Sequence, residues 1–421
     1  MKTIVLGAGV IGTTTAYYLA KAGHEVHVID RQGEAAMETS FANGSVLHTS
    51  EAEPWSRPGM PRAVLGWLGK DDAPMLLRLR ALPTMWRWGI DFVRHCTVER
   101  YRQAVGVNLR LAHHTLEAMQ EIRTHTGVEY DYAQRGTLKI YTRQEALDKN
   151  AAESALQAPL GLTYEIADAA RCVAIEPALA PIRDTLVGGI HAPRDEQGDC
   201  HRFTVGLRRF CESQLGVKFH FDTRIERIVR SGDRVEGVET QRGRFVGDRY
   251  VVALASNSTP MLAPLSIHVS IYPAKGITIT VPDSAWPRGP KVPVLDDTRL
   301  FGLSHIGENY RVSGSVEFNG WDGTPYPARV KAMIANVLGV FPDFARCYDE
   351  RTAKVWAGLR PMPSSGSPYI GATPLNNLYL NCGHGHLGWT LACGSSHLLA
   401  DLISGRAPAM DMTGLTLATR F

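Results

Sequence analysis

The stretch MKTIVLGAGVIGTTTAYYLAKAGHEVHVIDR, residues 1–31, decides the fold of this chain. Its first part, Thr3–Leu6, is a β-branched apolar run without polar alternation, which predicts a strand buried on both faces of a parallel sheet. Three glycines follow at the spacing G-x-G-x-x-G, and apolar side chains continue at helical spacing over Val10–Lys21. A second strand, Glu25–Ile29, then ends at an acidic residue. This order of elements predicts the first unit of a parallel α/β sheet.

Each glycine of the turn has a mechanical role in holding a dinucleotide. Gly7 permits the tight turn, Gly9 lets the backbone approach a pyrophosphate, and Gly12 lets the helix pack on the strand. Phosphates bind the free N–H groups at the helix start, and Asp30, 18 residues beyond Gly12, is placed to accept hydrogen bonds from an adenosine ribose. The alternative is a glycine-rich turn without a ligand, and the motif alone does not separate FAD from NAD.

Length and composition indicate a globular protein of two or three domains. The chain has 421 residues, of which 44% are hydrophobic and 21% charged, and its net charge is +3. This small charge, without a basic tail, RNA-binding motif or zinc-finger spacing, excludes nucleic acid as a partner. The sequence shows no signal peptide and no run of about 18 apolar residues. Its seven cysteines are scattered without a C-x-x-C pair, so we expect a cytoplasmic protein with reduced thiols and no metal site.

Small and polar residues crowd the segment between Glu38 and Ser50. Their hydroxyls, amide and unhindered backbone N–H groups suit pyrophosphate oxygens and the polar edge of a flavin. The residues concerned are Thr39, Ser40, Asn43, Gly44 and Ser45. The alternative interpretation of this segment is a solvated loop.

The stretch from Trp55 to Cys96 mixes tryptophans and arginines with bulky apolar residues. One interpretation is that it covers the core of a second domain. The other is that it includes a surface resting on anionic lipid, because aromatic and arginine-rich faces favour the headgroup boundary. Pro83 is expected to interrupt any continuous helix here.

The remaining chain predicts alternating helices and strands, ending in a second strand, glycine turn and helix. The expected helices are 102–127, 202–215, 327–338 and 389–404. Strands are expected at 136–142, 250–255, 267–281, 292–303, 309–316 and 377–382, with short strands over 218–249 and irregular structure over 162–193. Because both ends of the chain carry a strand followed by a glycine-rich turn, both turns should meet one cofactor.

Five motifs together carry a family likeness. They are GAGVIG at 7–12 with Asp30, ETSFANGS at 38–45, YPAKG at 272–276, WAGLRPMPSSGSPYIG at 356–371, and NCGHGHLGWTLACGSSHLLADLISG at 381–405. With these motifs the chain resembles the FAD-dependent D-amino-acid oxidase superfamily, and within it the bacterial D-amino-acid dehydrogenases of the small-subunit type. The match runs nearly end to end.

The resemblance implies a Rossmann-like, glutathione-reductase-type FAD-binding domain interleaved with a substrate domain built on a large antiparallel sheet. The FAD-binding domain would comprise residues 1–85, 150–260 and 350–421, and the substrate domain 86–149 and 261–349. The implied reaction is oxidative deamination of an amino acid to a 2-oxo acid and ammonia. Electrons would pass through FAD to a membrane quinone, with possible peripheral contact at the cytoplasmic face of the inner membrane.

The resemblance also assigns site residues. Arg360 matches the arginine that holds the substrate carboxylate, a task for which a planar guanidinium is well suited. Tyr272, Lys275 and His386 are the other catalytic candidates, although Tyr272 could equally be a packed core tyrosine and a lone histidine is often structural. The expected cofactor-binding residues are Gly7, Gly9, Val10, Ile11, Gly12, Asp30, Arg31, Thr39, Ser40, Asn43, Gly44, Ser45, Ile225, Gly358, His384, Gly385, Leu387, Gly388, Trp389 and Thr390.

Two departures from the family pattern affect the substrate pocket. Ser365 stands where an aspartate is common, and the residues after Gly44, SVLH at 45–48, differ from the usual ones. The leading hypothesis is therefore a dehydrogenase of D-amino acids, including cyclic ones such as D-proline or hydroxyproline. The alternatives are an oxidase of glycine or a secondary amine, and a non-catalytic flavin-binding protein.

Overall fold

The computed structural model describes residues 1–68 and 75–420. Its strands, numbered in chain order, are β1 Lys2–Leu6, β2 Glu25–Ile29, β3 Val46–Leu47, β4 Leu76–Leu77, β5 Thr137–Tyr141, β6 Glu165–Ala167, β7 Gly188–Ala192, β8 Glu196–Gln197, β9 Lys218–His220, β10 Ile225–Ser231, β11 Arg234–Thr240, β12 Gly243–Phe245, β13 Arg249–Val252, β14 Ile271–Pro282, β15 Val294–Asp296, β16 Phe301–Ile306, β17 Asn309–Phe318, β18 Lys354–Pro363, β19 Tyr369–Ala372 and β20 Leu378–Cys382.

The α-helices are α1 Val10–Lys21, α2 Met60–Trp67, α3 Leu82–His95, α4 Val98–Thr126, α5 Gln144–Gln157, α6 Ala169–Ile175, α7 Cys200–Leu215, α8 Ser258–Leu262, α9 Pro327–Leu338 and α10 Ala392–Ile403. Pro83 lies in the first turn of α3, where its missing N–H costs no hydrogen bond. The proline therefore starts this helix rather than interrupting one. Within the described residues, no helix is both long and apolar enough to cross a bilayer.

The first sheet is built on the strand that opens the chain. Its strand order is β19-β20-β13-β1-β2-β9, and all pairs are parallel except β19 with β20. Val5 and Val28 point into a core shared with α1, α4, α7 and α10, whereas Ile4 and Leu6 point into a core on the other face. Burial on both faces explains why these strands read as continuous apolar runs.

The second sheet has the order β18-β14-β17-β16-β15-β5-β7-β6, with β4 beside β17. Antiparallel pairing dominates it, and β14 and β17 are its longest central strands. One face packs on α9 through a cluster that includes Ile277, Val312 and Met333. The opposite face turns toward the glycine turns of the first sheet.

The predicted fold class is confirmed: a Rossmann-like domain is joined to an antiparallel-sheet domain. Three segments join a different sheet or core from the one that the expected domain boundaries give. The segment with β6 and β7 and the segment with β18 pair in the second sheet, whereas α4 packs in the core of the first. The stretch 162–193 contains two strands and a helix rather than irregular structure. The last helix begins at Ala392, not at Trp389, after a single 3-10 turn at Gly385–Leu387.

Candidate active site

One elongated cavity of about 680 Å³ lies between the two sheets. Such a volume falls in the range of pockets for small molecules and cofactors. At one end it is lined by the first glycine turn, Asp30, the start of β10, and Ala253, Leu254, Ala255, Asn257, Pro260, Met261 and Pro264. At the other end the lining residues are His48, Trp55, Gly276, Thr278, Leu295, Ser304, Ser313, Trp356, Gly358, Arg360, His384, Gly385, His386, Gly388 and Trp389.

Close packing of glycines shapes the first end of the cavity. A Cβ atom on Gly12 would lie 1.8 Å from the carbonyl oxygen of Gly7, so only glycine lets α1 begin so close to β1. Gly7 itself has a φ of 104°, which favours glycine. Helix α1 has no side-chain cap, and its first residues, Val10 and Ile11, line the cavity. The N–H of Val10 donates to Ser40 Oγ, and the other N–H groups of the first turn are available to an anion such as a pyrophosphate.

Asp30 is held beside this turn by backbone hydrogen bonds. Its Oδ2 accepts from the N–H of Ala8 at 2.6 Å and its Oδ1 from the N–H of Gln32 at 2.8 Å. Burial raises the pKa of this carboxyl group. Each oxygen retains a lone pair for a ribose hydroxyl. The uncapped helix, the glycine turn and this acid together fit the adenosine and pyrophosphate of FAD.

The polar segment after Asp30 ties the two sheets together. Ser40 Oγ accepts from the N–H of Val10 at 3.0 Å, and Thr39 Oγ1 donates to the carbonyl of Leu359 at 3.1 Å. Ser45 Oγ accepts from Arg311 Nη1 at 2.8 Å. This segment is therefore an ordered cavity wall rather than a solvated loop.

The substrate-side wall is made by two adjacent strands with glycines in register. Gly276 of β14 lies directly opposite Gly358 of β18, and Ala274 lies opposite Arg360. A Cβ atom on Gly276 would lie 2.2 Å from Nη1 of Arg360, and one on Gly358 would lie 2.1 Å from the Trp356 indole. The two glycines thus leave the space that the guanidinium and the indole occupy at the cavity.

Arg360 is a cation that lacks a carboxylate partner among residues 1–68 and 75–420. Its only hydrogen bond in that part of the chain runs from Nη1 to the carbonyl of Ser315 at 3.1 Å. Ser315 lies at an irregularity in the β14–β17 pairing and has a φ of 61°; such bulges re-aim backbone groups. Burial lowers the pKa of Arg360 to about 10, so the side chain still carries its charge at neutral pH.

Three neutral histidine rings line the same end of the cavity. Burial lowers the pKa of His384 and of His386 to about 3, and that of His48 to about 4. His384 is hydrogen-bonded to Ser395 Oγ through Nε2 at 3.0 Å. His386 stacks on Trp55 with ring centroids 5.2 Å apart. Arg360 is therefore the principal charge at this end of the cavity.

Two predicted catalytic residues lie away from the cavity lining. The Tyr272 hydroxyl is hydrogen-bonded to Thr84 Oγ1 at 2.7 Å, and its ring packs against Trp88. This arrangement matches the alternative in which Tyr272 is a packed core tyrosine. Lys275 Nζ lies 3.0 Å from Glu317 Oε2 in a fully buried ion pair and donates to the carbonyl of Thr324. Lys275 points to the side of β14 opposite Gly276, because side chains alternate along a strand. The structure therefore places both side chains outside the cavity lining.

Of the expected cofactor-binding residues, only Gly12, Leu387 and Thr390 lie outside the lining. Gly12 packs against Gly7, Leu387 is buried in the core, and Thr390 Oγ1 accepts from the N–H of His48 at 3.2 Å. Sequence reasoning missed several lining residues: Arg224, Arg227, Met261, Gly276, Thr278, Leu295, Ser304, Ser313 and Trp356. Most of these residues reach the cavity through the register in which the strands pair. The one local indication of this in the sequence is the pattern of an aromatic residue and a glycine at 356–360.

Residues 2–402 match the family model described as DAO, FAD dependent oxidoreductase. A D-amino acid dehydrogenase of Bradyrhizobium diazoefficiens is 40% identical over 417 residues, which cover 99% of this chain and 98% of the relative. Another from Allorhizobium ampelinum is 43% identical over 418 residues, with the same coverage.

Two solved structures share the fold over nearly the whole chain. Glycine oxidase from Geobacillus kaustophilus superposes with a TM-score of 0.76 at 19% identity, covering 99% of this chain and 97% of the other. L-proline dehydrogenase from P. horikoshii gives a TM-score of 0.77 at 16% identity, with 99% and 96% covered. At these identities the likeness is one of fold alone.

Proposed function

Because this chain belongs to the DAO family of FAD-dependent oxidoreductases, we propose that it oxidises D-amino acids to 2-oxo acids and ammonia. The family gives the cofactor, which is FAD, and the class of donor, which is an amino acid. The two relatives named above, both D-amino acid dehydrogenases, support the D-configuration of the substrate.

The observation that carries the proposal is Arg360, a cation without a carboxylate partner in the described chain, at the cavity end opposite the nucleotide-binding turn. A planar guanidinium binds a carboxylate through two parallel N–H bonds, and such charge-assisted bonds are strong where water is excluded. The cavity therefore supplies a site for one carboxylate.

FAD, when bound, supplies the two-electron acceptor for the hydride that leaves the substrate Cα. This chain's own residues bind and orient the amino acid. Arg360 fixes the carboxylate, and because a bound substrate has one orientation, proximity accounts for much of the rate. Trp55 and Trp356 line the cavity and give part of its wall an apolar surface. The amino acid loses a hydride and a proton to give an imino acid, and water then hydrolyses the imino acid to a 2-oxo acid and ammonia.

The proposal is tested by offering paired D- and L-amino acids to the purified FAD-loaded protein with an artificial dye as acceptor. We expect 2-oxo acid and ammonia in equal amounts from D-enantiomers, and rates at least about 100-fold lower from L-enantiomers. Equal rates with both enantiomers, or activity only with glycine or secondary amines, would contradict it. The panel also includes D-proline and hydroxyproline, and their rates, compared with those of the other amino acids, show whether cyclic substrates are preferred.

We further propose that electrons pass from FAD to a quinone-type acceptor, which the protein meets at a membrane surface. Helix α3 and the turn before it expose an apolar stripe at helical spacing: Leu79, Leu82, Trp86, Ile90 and Val93. Arg87 stacks over Trp86 at 5.1 Å, and Arg94 lies on the same helix. An exposed apolar stripe flanked by arginines suits the headgroup region of anionic lipid.

Vesicle sedimentation tests this surface. We expect the protein to sediment with vesicles of anionic phospholipid but not with zwitterionic ones, and Trp86→Glu with Ile90→Glu to abolish sedimentation. Leu156→Glu, at an exposed apolar residue on α5, is the matched control. Failure of the wild-type protein to bind anionic vesicles would remove the membrane proposal and leave the reaction unaffected.

A further inference from the structure

His386 lines the cavity that also contains Arg360. It belongs to the turn Gly385–Leu387, which follows β20, and its ring lines the cavity. The ring is close enough to Arg360 for that charge to act on it. The carboxylate and amino group of an amino acid share one carbon atom. A substrate held by Arg360 therefore brings its amino group to the neighbouring wall.

The Trp55 indole fixes the plane of the His386 ring, which stacks on it with the planes 18° apart. A neutral imidazole carries its proton on one ring nitrogen, so the other ring nitrogen is a hydrogen-bond acceptor.

The charge state of the ring supports the same role. A protonated His386 would have no acceptor nitrogen and would repel the substrate's ammonium group, so the ring must be neutral to bind the amine. Burial and the nearby Arg360 and His48 all disfavour protonation of His386, so the ring keeps its acceptor at neutral pH.

The other two histidines of the cavity are less suited. His384 uses Nε2 in its bond with Ser395. His48 has its Nδ1 enclosed by protein without a hydrogen-bond partner in the described chain, so no bond fixes which of its nitrogens carries the proton. His386 is partly exposed at the cavity, unlike the buried His384, and it is a ring on which the Arg360 charge acts.

We propose that His386 accepts a hydrogen bond from the substrate's amino group while Arg360 binds its carboxylate. This inference rests on the proposed function and deepens it by naming the residue that recognises the amine. Together the two side chains select a 2-amino acid over a simple carboxylic acid.

Two ligands that cannot be oxidised separate the roles of the two residues. 2-Aminoisobutyrate carries the carboxylate and the amino group but has no hydrogen on Cα, and isobutyrate lacks the amino group. Binding of each to the FAD-loaded protein is measured at pH 7.5 from the change in the flavin absorption spectrum. No turnover is required.

We expect the wild-type protein to bind 2-aminoisobutyrate about 10-fold or more tightly than isobutyrate, because a hydrogen bond to a charged group is worth that factor. His386→Phe, which keeps the stacking on Trp55, should remove the difference and leave isobutyrate binding unchanged. His386→Gln retains an acceptor and should keep part of the preference. His268→Phe, at an exposed histidine, is the control.

Equal affinity of the wild-type protein for the two ligands overturns the inference and leaves the proposed function standing. A full preference retained in His386→Phe does the same. If the wild-type protein binds neither ligand, Arg360 is not a carboxylate site, and the proposed function fails together with this inference. The wild-type comparison decides the matter even if a variant does not fold.

Discussion

Arg360 owes its proposed role to geometry as well as to charge. Replacing it with alanine removes both N–H bonds to the carboxylate, and we expect the KM for a D-amino acid to rise about 100-fold or more. Lysine keeps the charge but not the planar pair of donors, so Arg360→Lys should recover only part of the loss. Steady-state kinetics on protein with equal FAD content provides the measurement.

Arg351→Ala is the matched control, because Arg351 forms an exposed ion pair with Asp349. Its KM should equal that of the wild type. An unchanged KM in Arg360→Ala would exclude this residue from the substrate site.

Lys275 is expected to affect stability rather than catalysis. Lys275→Met leaves the Glu317 carboxylate buried beside a more distant cation, Arg329 at 3.5 Å. We expect this to lower the free energy of unfolding by about 3 kcal/mol, measured by denaturant unfolding. Adding Glu317→Leu should restore most of it. A loss of kcat with unchanged stability would instead return Lys275 to the site.

At the scale of the strands, the paired glycines of β14 and β18 should control where the guanidinium lies. Gly276→Ala places a methyl group 2.2 Å from Nη1 of Arg360, the flexible end of a long side chain. The fold should persist while the guanidinium shifts, and we expect the KM for the amino acid to rise about 10-fold. FAD content and thermal stability are measured alongside.

Gly89→Ala is the control for this substitution, because a Cβ atom there meets nothing within 4 Å. It should leave KM unchanged. If Gly276→Ala binds substrate as tightly as the wild type does, the guanidinium does not depend on this glycine for its position.

Strand register also explains what could be predicted from the sequence. The strand, glycine turn, helix and Asp30 are contiguous, so local spacing alone identified the nucleotide end. The motif that contains Lys275 does not tell which face of the strand its side chain takes. Tyr272 shares the face of Gly276, but it lies at the part of β14 that α3 covers. Ser313 and Thr278 reach the cavity only through pairing of β14 with β17, which is invisible in the sequence of either strand.

For the whole molecule, histidines whose pKa is lowered by burial, among them the three at the cavity, make stability depend on pH. The pKa of His48 is lowered to about 4 and those of His384 and His386 to about 3, whereas an unfolded histidine titrates near 6.5. Above pH 6.5 the rings are neutral in both states. As pH falls below 6.5, only the unfolded chain takes up protons, so the folded state loses up to about 1.4 kcal/mol per ring per pH unit.

Thermal unfolding at pH 7.5, 6.5 and 5.5 measures this effect. We expect the Tm to fall mainly between pH 6.5 and 5.5, and to fall less steeply in His386→Phe. A Tm that does not change over this range would show that the rings are protonated in the folded protein. The raised pKa of the Asp30 carboxyl works in the opposite direction at lower pH and offsets part of the loss.

The domain boundaries are also a property of the whole molecule. Segments that are distant in the chain, such as 165–192 and 354–363, pair in one sheet, and α4 crosses to the core of the other. Sequence motifs locate the two ends that meet the cofactor, but they do not determine which sheet each intervening strand joins. The family likeness implies the interleaved arrangement, and strand pairing shows which sheet each segment joins.

Anaerobic mixing of the FAD-loaded protein with single amino acids tests the central claim most directly. The account predicts that a D-amino acid bleaches the flavin absorbance in the absence of any acceptor, that its L-enantiomer does not, and that Arg360→Ala needs about 100-fold more of the D-enantiomer. Flavin that stays oxidised with every D-amino acid, or an Arg360→Ala variant bleached as readily as the wild type, would contradict it.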